Sequence, residues 1–120
     1  MNQIFYSETQ SENESVLLYK QLWRAPELLR NNGPLRGTQK GDVYAFGIIL
    51  YEMLGRSGPY GDDDMSLTEI IRRVIEPEGG VETRPNIDLL RDIAAENETE
   101  LPEYVLEVMQ ECWAEDPETR

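Results

Sequence analysis

Residues 7–15, SETQSENES, are polar and rich in serine and glutamate, and the chain turns apolar only at Val16, Leu17 and Leu18. Such a stretch buries too little apolar surface to offset its ordering entropy, so it reads as a mobile loop. Ala25-Pro26-Glu27-Leu28-Leu29-Arg30 predicts one short helix with Pro26 at its first position, and Asn31-Asn32-Gly33-Pro34 stops it. Residues 42–54, DVYAFGIILYEML, place Val43, Tyr44, Phe46, Ile48, Ile49, Leu50, Met53 and Leu54 in every direction around a helix. That pattern predicts a helix covered on all sides, with Asp42 as its N-cap and a run too short to cross a bilayer. A strand over Ile48–Tyr51 is the competing assignment, and the length of the run favours helix.

Gly55, Gly58, Pro59 and Gly61 then break the chain. Ser66 with Glu69 three residues later predicts a capping box, behind which Leu67, Ile70, Ile71, Val74 and Ile75 keep helical spacing until Pro77. Residues 78–100 are acidic and irregular, with a short helix expected around Leu89 to Ala95. Pro102 opens a further helix, on which Val105, Leu106, Met109, Cys112 and Trp113 form one stripe. Asp116-Pro117-Glu118 has the order of N-cap, first helical position and first-turn acid. No repeat and no credible strand pair is visible. The expected fold is mainly α.

Charge adds a strong asymmetry. The 120 residues carry a net charge of −13, yet residues 1–60 balance six acids against six bases, so the whole excess lies in residues 61–120. Between Val16 and Gly41 the sign reverses, with Lys20, Arg24, Arg30, Arg36 and Lys40 against Glu27 alone. So acidic a chain is a poor partner for nucleic acid or an anionic membrane surface, and the basic stretch reads as a solvated face. No apolar run approaches the length of a membrane span, and the first ten residues lack the features of a signal peptide.

Candidate chemistry is thin. There is no histidine and one cysteine, Cys112, which excludes an intramolecular disulfide, a histidine base and a Cys/His zinc site. Cys112 lies beside Trp113 in an apolar pattern and reads as a core thiol, in a composition suited to a reducing compartment. Asp62-Asp63-Asp64 lacks the alternating ligand spacing of a calcium loop and reads as solvated, so no metal site is expected. Gly55, Gly58 and Gly61 follow a predicted helix, where a phosphate cradle needs a strand before and a helix after it. Glu96, Glu98, Glu100 and Glu103 have no apolar pocket to raise a carboxyl pKa and read as a solvated face. The sequons at Asn13 and Asn97 are expected to be chance matches. Tyr19 and the serines of 7–15 are weak phosphate acceptors.

Three separated strings are more specific. Leu22-Trp23-Arg24-Ala25-Pro26-Glu27 resembles the Ala-Pro-Glu close of a kinase activation segment. Gly41-Asp42-Val43-Tyr44-Ala45-Phe46-Gly47 resembles the start of the buried central helix of a kinase C-terminal lobe. Cys112-Trp113-Ala114-Glu115-Asp116-Pro117-Glu118-Thr119-Arg120 resembles the "CW…DP…R" stretch of tyrosine-kinase-like lobes. Together with the connecting RGTQKGDVYAFGIILYE, RSGPY and LTEIIRRV, they look like the kinase-homology region of receptor guanylate cyclases.

The resemblance implies a partial protein-kinase-like C-lobe over residues 17–120, truncated at both ends, behind an activation-loop-like segment at 1–16. It implies no catalytic, cofactor-binding or metal residue in this chain, because the glycine-rich loop, strand lysine, catalytic-loop aspartate and Asp-Phe-Gly would precede residue 1. Its structural carry-overs are Glu27 and Arg120, which pair at a distance, and Asp42, which bonds the backbone of the catalytic loop. In such a parent the expected partners are the rest of the kinase-like domain and a downstream cyclase domain. The parent is expected to be a homodimer on the cytoplasmic side of a membrane receptor, with ATP as a ligand of the kinase-like domain. The rival expectations are a lobe of an active tyrosine-kinase-like enzyme and a stand-alone acidic interaction protein.

Overall fold

The structure, a computed structural model, describes residues 14–30 and 37–120. The loop expected at 7–15 lies outside the described residues except for Glu14 and Ser15, which belong to a helical stretch, α1, over 14–20. The stop signal at 31–34 and the Asn13 sequon also lie outside them. A 3-10 turn, Gln21–Trp23, leads into α2, Pro26–Arg30, and then come α3, Gln39–Gly55, α4, Leu67–Ile75, α5, Ile87–Glu96, and α6, Glu103–Cys112. A last 3-10 turn covers Pro117–Thr119. Among the described residues the sole strand-like pairing is an isolated bridge between Glu78 and Val81, closed by Gly79 and Gly80 at positive φ.

Helix α3 starts three residues earlier than its apolar pattern suggests. Thr38, in extended conformation, is the N-cap, its hydroxyl accepting from the Gly41 N–H at 2.9 Å. Asp42 is therefore not the cap; it sits in the first turn, where its negative charge still complements the positive helix end. At the other end Gly55 is the last helical residue, and Arg56 takes the left-handed conformation (φ 54°) that releases the chain. Ser66 caps α4 by accepting from the Glu69 N–H at 3.2 Å. The reciprocal half of the expected box is absent: the Glu69 carboxylate is gripped by Arg72 and Arg73. Helix α5 is fuller than expected and is capped by Asn86, whose side chain accepts from the Asp88 N–H.

Two apolar clusters hold these helices. In the larger, Tyr44, Ile48 and Tyr51 of α3 meet Leu90 of α5, Leu106 and Met109 of α6, Trp113 and Ala25. Helices α3 and α6 approach closely because position 47 has no side chain: a Cβ there would lie 2.9 Å from Cys112 Cβ and 3.2 Å from the Met109 carbonyl. The smaller cluster joins Leu22 and Tyr60 to Ile70 and Val74 of α4. The expectation that α3 is covered on all sides needs correction. Phe46, Ile49 and Met53, three and four residues apart, share a face on which Phe46 is 53% and Met53 70% exposed. Tyr44, Ile48 and Tyr51 on the other side are essentially inaccessible.

Candidate functional site

The most organised polar constellation lies where the C-terminal turn meets α2 and the start of α3. Pro26 opens α2 and places Glu27 in its first turn. Asp116 caps the last 3-10 turn by accepting from the Glu118 N–H, and that turn carries Arg120 back toward α2. Arg120 grips Glu27 with two hydrogen bonds, Nη1 to Oε2 at 2.7 Å and Nη2 to Oε1 at 2.9 Å. Its Nε donates to the Ala114 carbonyl at 2.8 Å. The Arg120 side chain is wholly covered and that of Glu27 is 27% exposed. Such a fork suits guanidinium better than ammonium, because two parallel donors match two carboxylate oxygens. Lys40 of α3 adds a bond from Nζ to the Arg120 carbonyl at 3.0 Å.

A second arginine, Arg84, reaches the same place from the segment before α5. Its Nε donates to the Trp113 carbonyl, its Nη1 to the Thr83 carbonyl, both at 2.8 Å, and its Nη2 to Glu115 Oε2 at 2.9 Å. Glu115 is also bonded by Arg30 of α2, whose Nε donates to the Ile75 carbonyl at the end of α4. The Arg84 and Arg120 guanidinium carbons each lie 5.2 Å from the Tyr44 ring centroid, so the aromatic face of α3 is a seat for both cations. Burial pushes the Tyr44 hydroxyl pKa up, and the two guanidiniums partly offset that rise. Burial also raises Glu115, but hydrogen bonds from Arg30 and Arg84 outweigh it and hold its carboxyl below the usual value. Burial pushes the Tyr51 hydroxyl up to about 12 and the Cys112 thiol up, so neither is an activated group at neutral pH.

The structure thus joins Glu27 to Arg120 and leaves Asp42 exposed at the foot of α3. Sequence reasoning missed Arg84, Glu115, Arg30 and Tyr44 as parts of one network; Glu115 and Tyr44 lay inside the kinase-like strings, Arg30 was read with the basic stretch as a solvated face although it bonds Glu115 and the Ile75 carbonyl, and Arg84 carried no signal. Asp62 is taken up by the Asn86 amide and Asp63 by the Met65 N–H, as loop braces. Glu96, Glu98, Glu100 and Glu103 are exposed, and Glu103 pairs with Arg91 at 3.0 Å. Among the described residues no cluster of His, Cys, Asp or Glu is disposed to hold a metal ion. No helix there is long and apolar enough to cross a membrane. Chemically, the constellation can lock helices together; it presents no nucleophile beside a base.

The protein tyrosine and serine/threonine kinase family model matches residues 1–120. The chain is 46% identical over 116 residues to receptor-type guanylate cyclase Gyc76C of Drosophila melanogaster, covering 92% of this chain and 7% of that protein. It is 46% identical over 110 residues to guanylate cyclase 32E of the same organism, covering 90% and 9%. It is 40% identical over 119 residues to human atrial natriuretic peptide receptor 2, covering 97% and 10%. The homologues are receptor guanylate cyclases, and the chain spans about a tenth or less of their length.

Proposed function

We propose, because the chain belongs to the protein tyrosine and serine/threonine kinase family, that it acts as a regulatory kinase-homology segment of a receptor guanylate cyclase. The parent would convert GTP to cyclic GMP in a separate cyclase domain downstream, and this segment would take no part in that chemistry. The observation that carries this reading is the 40–46% identity to receptor guanylate cyclases across about nine-tenths of the chain. In the parent, a homodimer, the segment would lie on the cytoplasmic side of the membrane.

The architecture supports a relay role. Glu27, Arg120, Arg84, Glu115 and Arg30 tie the activation-segment-like end to the last turn and to α4, so a displacement at one would be felt at the others. The exposed stripe Phe46, Ile49 and Met53 on α3 gives the rest of the kinase-like domain an apolar face to cover. ATP, implied for the parent, would be held there by the glycine-rich loop and strand lysine, neither of which this sequence contains. Gly55 closes a helix instead of cradling phosphate at the start of one, and no metal-holding cluster is disposed among the described residues.

The test reads the complete transcript and then assays its product. A cyclase domain downstream, and a catalytic loop upstream without its aspartate, are expected. A catalytic-loop aspartate with phosphoryl transfer, and no cyclase domain, would assign the chain to an active kinase instead.

A further inference from the structure

A cavity of about 390 Å³ opens between the end of α3, the C-terminal half of α5 and the approach to α6. Its apolar wall is Leu54 of α3, Leu90, Ile93 and Ala94 of α5, and Leu101. Leu90 belongs to the larger core cluster and Leu54 and Leu101 pack against it, so the wall is fixed by the fold's own packing. Asn97, Thr99, Glu100 and Arg56, all exposed, form the polar rim. The Asn97 amide donates to the Ile93 carbonyl at 2.8 Å and the Thr99 hydroxyl to the Ala94 carbonyl at 3.2 Å. With those donors engaged, the rim offers a ligand chiefly the Glu100 carboxylate, with Arg56 as its one cation.

The surface around the cavity is acidic and partly apolar. Residues 92–111 hold seven carboxylates and no basic side chain, and all seven are exposed. Of these, Glu103 alone has a cation, Arg91, among the described residues. Glu96 ends α5 and Glu111 lies in the last turn of α6, where the negative end of the helix dipole disfavours a carboxylate, and neither last turn holds a base. On the same side Tyr104, 68% exposed, and Val108 stand one turn apart on α6, flanked by Glu103, Glu107 and Glu111.

These features set the chemistry of what covers the face. A second copy, itself of net charge −13, adds repulsion, and an anionic surface is turned away for the same reason. A basic segment supplies the missing cations, and an apolar side chain on it fills the cavity. We propose that this face of α5 and α6 docks a basic polypeptide segment. One aliphatic or aromatic side chain enters the cavity, a second rests on Tyr104 and Val108, and lysines or arginines meet Glu96, Glu98, Glu100 and Glu107. None of Phe46, Ile49 and Met53 lines the cavity, so this site is separate from the exposed stripe of α3.

The full chain, labelled with nitrogen-15, is titrated with a lysine–leucine peptide and with two analogues, one with glutamine for every lysine and one with serine for every leucine. Saturable shifts are expected in the amide signals of Ile93, Ala94, Leu101, Tyr104 and Val108, weakening as salt is added. Both analogues should bind about tenfold more weakly or worse. Glu98→Gln with Glu100→Gln, both at exposed positions, should weaken binding about tenfold through the loss of two surface ion pairs. Arg56→Gln removes the rim's cation and should tighten binding about threefold. Shifts centred on Phe46, Ile49 and Met53, an equal response to the serine analogue, or no response in a chain with dispersed amide signals overturns the proposal. If the same amides shift with chain concentration alone, a second copy is the occupant and the proposal fails. No outcome depends on whether the chain serves a guanylate cyclase, since the readout involves this face and the peptide only.

Discussion

Breaking the grip of Arg120 on Glu27 should expose how far the fold depends on a contact spanning 93 positions. A fully buried pair stripped of one partner costs about 3–5 kcal/mol, and an exposed pair about 0–1 kcal/mol. Here the arginine is wholly covered while the carboxylate keeps 27% of its exposure, so the cost lies between the limits. Glu27→Gln leaves one acceptor oxygen and the Ala114 carbonyl in reach of the guanidinium, and should cost about 2–3 kcal/mol. Arg120→Met also removes the Ala114 bond and the cation against Tyr44, and should cost about 3–4 kcal/mol. With both replaced, no charge is stranded, so the double variant should be less damaged than the two costs added. A coupling of about 1.5–2.5 kcal/mol is expected. Urea unfolding followed by the fluorescence of Trp23 and Trp113 measures all four corners of the cycle. Additivity to within about 0.5 kcal/mol would mean that the two side chains do not act on each other, and the reasoning would fail.

The close approach of α3 and α6 predicts that Gly47→Ala destabilises the chain by about 1–3 kcal/mol despite the better helix propensity of alanine, because Cys112 and the Met109 carbonyl block the added carbon; a melting temperature unchanged or raised would refute it. Phe46→Ser together with Met53→Gln should cut the binding of an apolar dye while changing stability by less than about 0.5 kcal/mol each, since both side chains are already exposed. The Glu115 carboxyl is held below its ordinary 4.5, so the unfolded chain takes up that proton first as pH falls. The stability Glu115 contributes is then complete above 4.5 and is lost as pH drops through the depressed folded value. The stability difference between wild type and Glu115→Gln should therefore shrink on acidification below 4.5, and a difference independent of pH would count against the Arg30–Glu115–Arg84 network.

Helix positions were largely legible in the sequence because they follow from local periodicity and capping residues: Pro26 at the start of α2, Ser66 before α4 and Asp116 before the last turn stand where their side chains require. The errors came where tertiary context decides. Asp42 and Thr38 are both good caps, and choosing between them needs the Gly41 N–H to be seen meeting the Thr38 hydroxyl. Composition could show that α3 is apolar around its whole circumference, but not that the Phe46 face stays uncovered by the described residues. The Glu27–Arg120 pair was visible only through resemblance to a family, as no local rule links positions so distant. Arg84 and Arg30 were invisible, because nothing in a lone arginine tells whether its guanidinium turns to water or to Tyr44 and Glu115.

Cyclic GMP formation by the complete parent protein tests the central claim most directly. Expressed in cells with negligible cyclase activity of their own, the wild-type parent should raise cyclic GMP. The Arg120→Met variant, present at equal level in the membrane, should alter the receptor's control of that output while the detergent-solubilised cyclase still turns over GTP. A parent that makes no cyclic GMP, or one whose control is untouched when the Glu27–Arg120 contact is broken, would contradict the account.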